Sequence, residues 1–254
     1  MLSNIRYVLL TATRDRLFLG LLVGIIIAAY ISSVLGSTAM LETEQMTIAF
    51  TAASARVIIM VGVIVFIGFH MRNAFDAREI DVLLSRPISR TTLVLSYWVG
   101  FAAVASCLVL PTIVLVAIIG TLNHTGFLLW AVSLLLESWL VVSVALFAAL
   151  TIKSGVGTVL SSLAIYVLSR MMGFFLATTN SGGIFKEHQI NVGAQWLMRV
   201  IAMVVPRLDF YAKSQWLIYG AKSYEEVQLF LLQSAIFIPL LIAASVIDFK
   251  RKQF

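Results

Sequence analysis

Residues 91–123 read TTLVLSYWVGFAAVASCLVLPTIVLVAIIGTLN, 33 residues without a charged side chain. Crossing the hydrocarbon core of a bilayer takes about 20 apolar residues in a helix. This run therefore spans with a turn to spare at each end. Similar stretches lie on both sides of it. Residues 17–36 and 227–247 carry no charge, 45–71 carry only Arg56, 125–152 only Glu137, and 154–185 only Arg170. The reading is an all-α polytopic membrane protein with six transmembrane helices in a single transmembrane domain, 1–254.

Composition agrees. The chain is 61% hydrophobic and only 12% charged, with a mean hydropathy of +1.00. Soluble domains carry about 25% charged residues, so a soluble globular domain is excluded. Cys107 is the single cysteine, which excludes an intramolecular disulfide or a thiolate metal cluster. The N-terminal apolar run is too long for a cleaved signal peptide, and no small-x-small cleavage site follows it. Residues 1–16, with Ile5, Tyr7, Val8 and Leu9 among Arg6, Arg14 and Arg16, read as an amphipathic helix on the membrane surface. The alternative is a disordered basic lead-in.

With the N-terminus inside, the cytoplasmic segments hold 11 of the 18 Lys and Arg residues and the outer loops hold five. That bias supports cytoplasmic N- and C-termini. The inner segments net +6, the outer loops −1 and the spans +1. The net charge of +6 is thus a topology signal that calls for no nucleic-acid partner.

Two connections are long. The outer one, 178–226, contains VGAQWLMRVIAMVV at 192–205, too short to span and stopped by Pro206. Its length suits a re-entrant or interfacial helix. Phe210, Tyr211, Trp216 and Tyr219 follow, rings suited to the headgroup level. Ser223, Tyr224, Glu225 and Glu226 then read as a capping box for the last span. A core helix of a folded external domain is the other reading of 192–205.

No catalytic constellation is visible. His70, His124 and His188 fall on different connections, and neither His-Glu-x-x-His nor Gly-x-Ser-x-Gly occurs. The phosphate-binding G-x-x-x-x-G-K-[ST] loop is missing as well. The cytoplasmic connection 72–90 carries more information. Ala77, Ile80 and Leu84 share one helical face with Leu83 beside them, and Pro87 ends or kinks the helix. A short charged amphipathic helix of this kind suits docking into a groove of a soluble partner; an ordinary surface helix is the plainer reading.

The string Leu83-Leu84-Ser85-Arg86-Pro87-Ile88-Ser89-Arg90, together with the overall layout, resembles the permease subunits of ABC transporters of the type-2 exporter group. Those permeases carry, between the second and third spans, a motif of the kind Glu…Gly-Thr-Leu-Glu…Leu-Leu-Ser-x-Pro-x-Ser-Arg, which forms a coupling helix on the ATPase subunit. Here Arg78 and Glu79 stand in the Gly-Thr places and Ile80 and Asp81 in the Leu-Glu places. The resemblance implies that Phe75, Ala77, Glu79, Ile80, Asp81, Leu83, Leu84 and Arg86 dock a separate ATP-binding subunit. It further implies that ATP and Mg sit on that partner, that this chain binds no cofactor itself, and that a second copy of this or a related permease completes the membrane unit. Within the same class lies a haem or metalloenzyme-maturation transporter. Outside it lies an ATPase-independent carrier or a polytopic membrane enzyme.

Small residues recur every four positions along the first span, at Gly20, Gly24, Ala28, Ser32 and Gly36, and the fifth span carries Gly173 in a similar series. Such stripes let backbones approach closely in lipid, at a dimer seam or within one subunit. Arg56, Glu137 and Arg170 are charges inside spans, where charge is expensive and functional by default. At 1.5 Å per residue, Glu137 lies about 15 Å deep and Arg170 about 10 Å. Antiparallel neighbours would let them pair, either as a structural tie or as a polar wall of the substrate path. Charge reversal at both positions should then rescue either single change. Arg56, nearer the outer surface, is expected to snorkel.

Overall fold

A computed structural model describes residues 2–38, 43–80, 89–119, 124–180, 188–220 and 224–251. Every regular element among them is helical: α1 (Leu2–Arg14), α2 (Arg16–Ser37), α3 (Thr43–Asp76), α4 (Arg90–Ile119), α5 (His124–Thr151), α6 (Gly155–Asn180), α7 (His188–Val204), the 3-10 turn η1 (Leu208–Phe210), α8 (Gln215–Tyr219) and α9 (Tyr224–Arg251). Six of them, α2 to α6 and α9, are long and apolar enough to cross a membrane.

α3 and α5 form the centre. Their apolar windows are 61% and 72% buried, against 11% for α2, 22% for α6 and 17% for α9. α2 packs on α3, α6 on α3 and α5, and α9 on α5 and α4. The exposed faces of the outer helices are themselves apolar, with Ile26, Tyr30, Leu160, Phe174, Leu232 and Leu240 among the uncovered side chains. In water such a surface would drive aggregation; a hydrocarbon solvent accepts it. Two indole groups within the bundle bridge neighbouring helices. Trp98 Nε1 donates to Ser143 Oγ at 2.8 Å and Trp139 Nε1 to Ser106 Oγ at 3.1 Å, tying α4 to α5.

The break between α1 and α2 has a local cause. Asp15 sits in extended backbone (φ −74, ψ 129) and its carboxylate accepts from Leu17 N at 3.0 Å, the arrangement of an N-cap. α1 is therefore a separate helix, lying across α4 with Val8 and Ala12 buried while Arg6 and Arg14 face outward. A β-carbon added at Gly100 would stand 3.0 Å from Val8 Cβ, so the glycine provides the seat for α1.

At about 1.5 Å per residue, α3 is about 50 Å long and outruns the hydrocarbon layer. Its far end projects beside α1 and the tight α5–α6 connection. There Arg72 pairs with Asp76 at 2.7 Å and donates to Lys153 O. The opposite end of the bundle carries α7, η1 and α8.

Candidate functional site

Arg56 and Arg170, with Glu137 beside Arg170, converge on the short segment made of η1 and the two residues after it. Arg170 on α6 lies with Nη1 3.6 Å from Glu137 Oε1 on α5, and the Glu137 side chain is fully buried. The expected neighbourhood of these two charges is therefore present. The same Arg170 Nη1 also donates to Leu208 O and, at 2.9 Å, to Tyr211 O. Arg56 on α3 donates from Nη1 to Ala212 O at 2.6 Å and contacts the Tyr166 hydroxyl. Ser133, one turn before Glu137, accepts from Ala212 N at 3.0 Å.

The segment 208–212 is consequently pinned to α3, α5 and α6 through its own backbone groups. Tyr211 adds α9: its hydroxyl donates to Phe230 O at 2.9 Å and lies 2.8 Å from Ser234 Oγ. Burial pushes the Tyr211 phenol up to about 12, so it stays protonated and able to donate. Leu208, Tyr211 and Ala212 are all essentially inaccessible. Non-helical backbone is tolerated at membrane depth only where protein satisfies its polar groups, and the two arginines and Ser133 do so here.

Two expectations change. Arg56 does not snorkel: at 9% exposure it is turned inward, because the Ala212 carbonyl offers a partner closer than solvent. Tyr211 and Trp216, expected at headgroup level, belong to the core at 0% and 2% exposure, whereas Tyr219 is exposed. Ser133, Tyr166 and the carbonyls of 208–212 had no place in the sequence reading. A signal existed for two of them, since Ser133 and Tyr166 stand four residues before Glu137 and Arg170 on the same helical faces.

Two glycines make room for the segment. A β-carbon at Gly173 would strike the Asp209 carboxylate, and one at Gly126 would strike the backbone carbonyl of Trp216 in α8. Gly126→Ala should push α8 away and lower stability by about 1–3 kcal/mol, read as a lower melting temperature of the detergent-solubilised chain. The small-residue stripe of α2 likewise meets its own chain: Gly36 lies against Thr47, Ser32 is buried, and a β-carbon added at Gly24 would stand 3.9 Å from Ile58 Cγ2. Ala28 is half-buried on the same helix, and only Gly20 would have an added β-carbon in open space.

The second region is the projecting end of α3. Asp81, Leu83, Leu84 and Arg86 lie outside the described residues. Of the remainder, Ala77 is exposed, Phe75 and Glu79 are half-buried, and Ile80 is 1% exposed within the core. Ile80 is thus committed to this chain's own packing rather than to an outward face. Tyr7 OH on α1 donates to both Glu79 oxygens, at 3.1 and 3.2 Å. Arg78 closes α3 in the left-handed region, with φ 54. That conformation favours glycine. Arg78→Gly should therefore leave the fold intact and raise stability by about 1 kcal/mol, measurable as an upward shift of the melting temperature.

Among the described residues, no group of three or more His, Cys, Asp or Glu could hold a metal ion. Fold and polar centre together define an all-helical chain whose six span-length helices suit an integral membrane protein. No protein-family model matches the chain, and no curated protein matches it either.

Proposed function

We propose that the chain is the membrane-spanning permease subunit of an ATP-driven exporter, working with a separate ATP-binding subunit and a second copy of this or a related permease. In this reading α1 is the elbow helix at the cytoplasmic surface of a plasma membrane, the bacterial inner membrane in a bacterium. Both termini are cytoplasmic, and residues 72–90 form the coupling segment. The external segment 178–226 closes the outer side as a re-entrant element.

The observation that carries the proposal is the end of α3. It turns at Arg78 in a left-handed conformation where type-2 exporter permeases often have glycine, and Glu79 is hydrogen-bonded to α1. A displacement of the coupling segment by ATP binding on the partner would therefore be felt by α1 and α3 together. α3 reaches Arg56 at its other end, so the same helix joins the docking region to the polar centre. ATP and Mg belong to the partner.

The Arg56–Glu137–Arg170 group inside the bundle favours one other reading, an ATPase-independent carrier, because intramembrane ionisable groups mark ion and substrate paths. Transport into inverted membrane vesicles separates the two. The exporter requires ATP and stops with a non-hydrolysable analogue; the carrier runs on an ion gradient without nucleotide.

A further inference from the structure

α1 is amphipathic, but its apolar face is already covered. Val8 and Ala12 are buried against α4, with Val8 seated on Gly100. The helix therefore does not hold the membrane by that face, as interfacial helices commonly do. Its outward stripe is different in kind. Arg6, Leu10 and Arg14 follow at intervals of four, all exposed, about 12 Å from end to end. Arg16, also exposed, opens α2 two residues further on.

None of these three arginines takes part in an ion pair among the described residues. Asp15, which stands between two of them, turns its carboxylate onto Leu17 N as the cap of α2. Three cations against one carboxylate leave the elbow net positive. Depth then selects the occupant. The uncharged run begins at Leu17, and Leu19 and Val23 already face outward. Arg14 and Arg16 thus sit within one turn of the hydrocarbon, at the level of lipid headgroups. A soluble acidic protein or a nucleic acid would have to displace headgroups to reach them.

We propose that Arg6, Arg14 and Arg16 form a binding site for an anionic phospholipid. The guanidinium groups at the elbow take the phosphate, which their planar forks match, and the acyl chains lie along Leu19 and Val23 of α2. Each cation near an anionic lipid is worth about fivefold in affinity. The site follows from charge and depth, independently of what drives the chain, so its failure would leave the exporter reading untouched.

Titration of short-chain phosphatidylglycerol into the full chain in an uncharged detergent, followed by the melting temperature, tests this. The matching phosphatidylcholine and inorganic phosphate serve as controls. Phosphatidylglycerol should raise the melting temperature by about 3 °C or more at saturation, and neither control should. Arg6→Gln, Arg14→Gln and Arg16→Gln together should raise the half-saturating concentration about a hundredfold. Arg14→Gln alone should raise it about fivefold, which keeps the test decisive where the triple variant does not fold. Lys250→Gln with Arg251→Gln removes two exposed cations beside Asp248 at the same end of the bundle, and should leave it within about threefold. An equal rise with phosphatidylcholine, a rise with inorganic phosphate alone, no change in Arg14→Gln, or an equal loss in the Lys250 and Arg251 variant would overturn the site.

Discussion

Arg170→Met is expected to destabilise the chain by about 3–5 kcal/mol, a large share of the 5–15 kcal/mol that holds a typical domain together. Two losses combine. Glu137, at 0% exposure, is left buried without its nearest cation, and the Leu208 and Tyr211 carbonyls lose their shared donor. Thermal unfolding in detergent reads the effect, and proteolysis should appear first around residues 208–212. Charge reversal refines the expectation drawn from depth alone. Glu137→Arg with Arg170→Glu restores opposite charges, yet a carboxylate cannot donate to two carbonyls. Rescue should therefore be partial, recovering the ion pair but leaving the segment loose. Complete rescue would mean that the carbonyl contacts contribute little.

If the proposed exporter reading holds, Ala77→Arg is expected to weaken docking of an ATP-binding subunit about thirtyfold while leaving the chain folded. Ala77 is exposed, one residue past the C-terminal end of α3. A cation there is compatible with the helix dipole. A bulky charge placed in a packed interface typically removes a contact of about 2 kcal/mol, roughly thirtyfold in affinity. Pull-down of the partner and ATP-dependent transport should fall together, with an unchanged melting temperature. Ile80 cannot serve for this test. Buried at 1% exposure, it would unfold the chain if charged, and loss of docking would then be uninformative.

Ile80 also marks the limit of what was legible in the sequence. The helical face Ala77/Ile80/Leu84 is visible as a pattern, but periodicity says only that a face is apolar, not whether its own bundle or a partner covers it. The spans were legible for a simple reason: an uncharged run of 33 residues has no stable home but hydrocarbon or a core. The Arg170–Glu137 neighbourhood was legible too, because two rigid antiparallel helices turn sequence position into depth. Arg56 was misplaced because depth along its own helix says nothing of a segment from 156 residues downstream folding in to meet it. That segment has no regular period, and its contacts run through backbone carbonyls, which every residue carries alike. Its signals were instead the glycines at 126 and 173, whose need becomes evident only once Trp216 and Asp209 are seen against them.

In the proposed reading, the chain takes its energy from a separate ATP-binding subunit docked at residues 72–90. Purification of the tagged chain from its native membrane in mild detergent tests that most directly. The predicted result is a co-purifying ATP-hydrolysing subunit in stoichiometric amount, lost when Ala77 is replaced by arginine. A folded wild-type chain that purifies free of any ATP-hydrolysing protein, and transports after reconstitution without nucleotide, would contradict it.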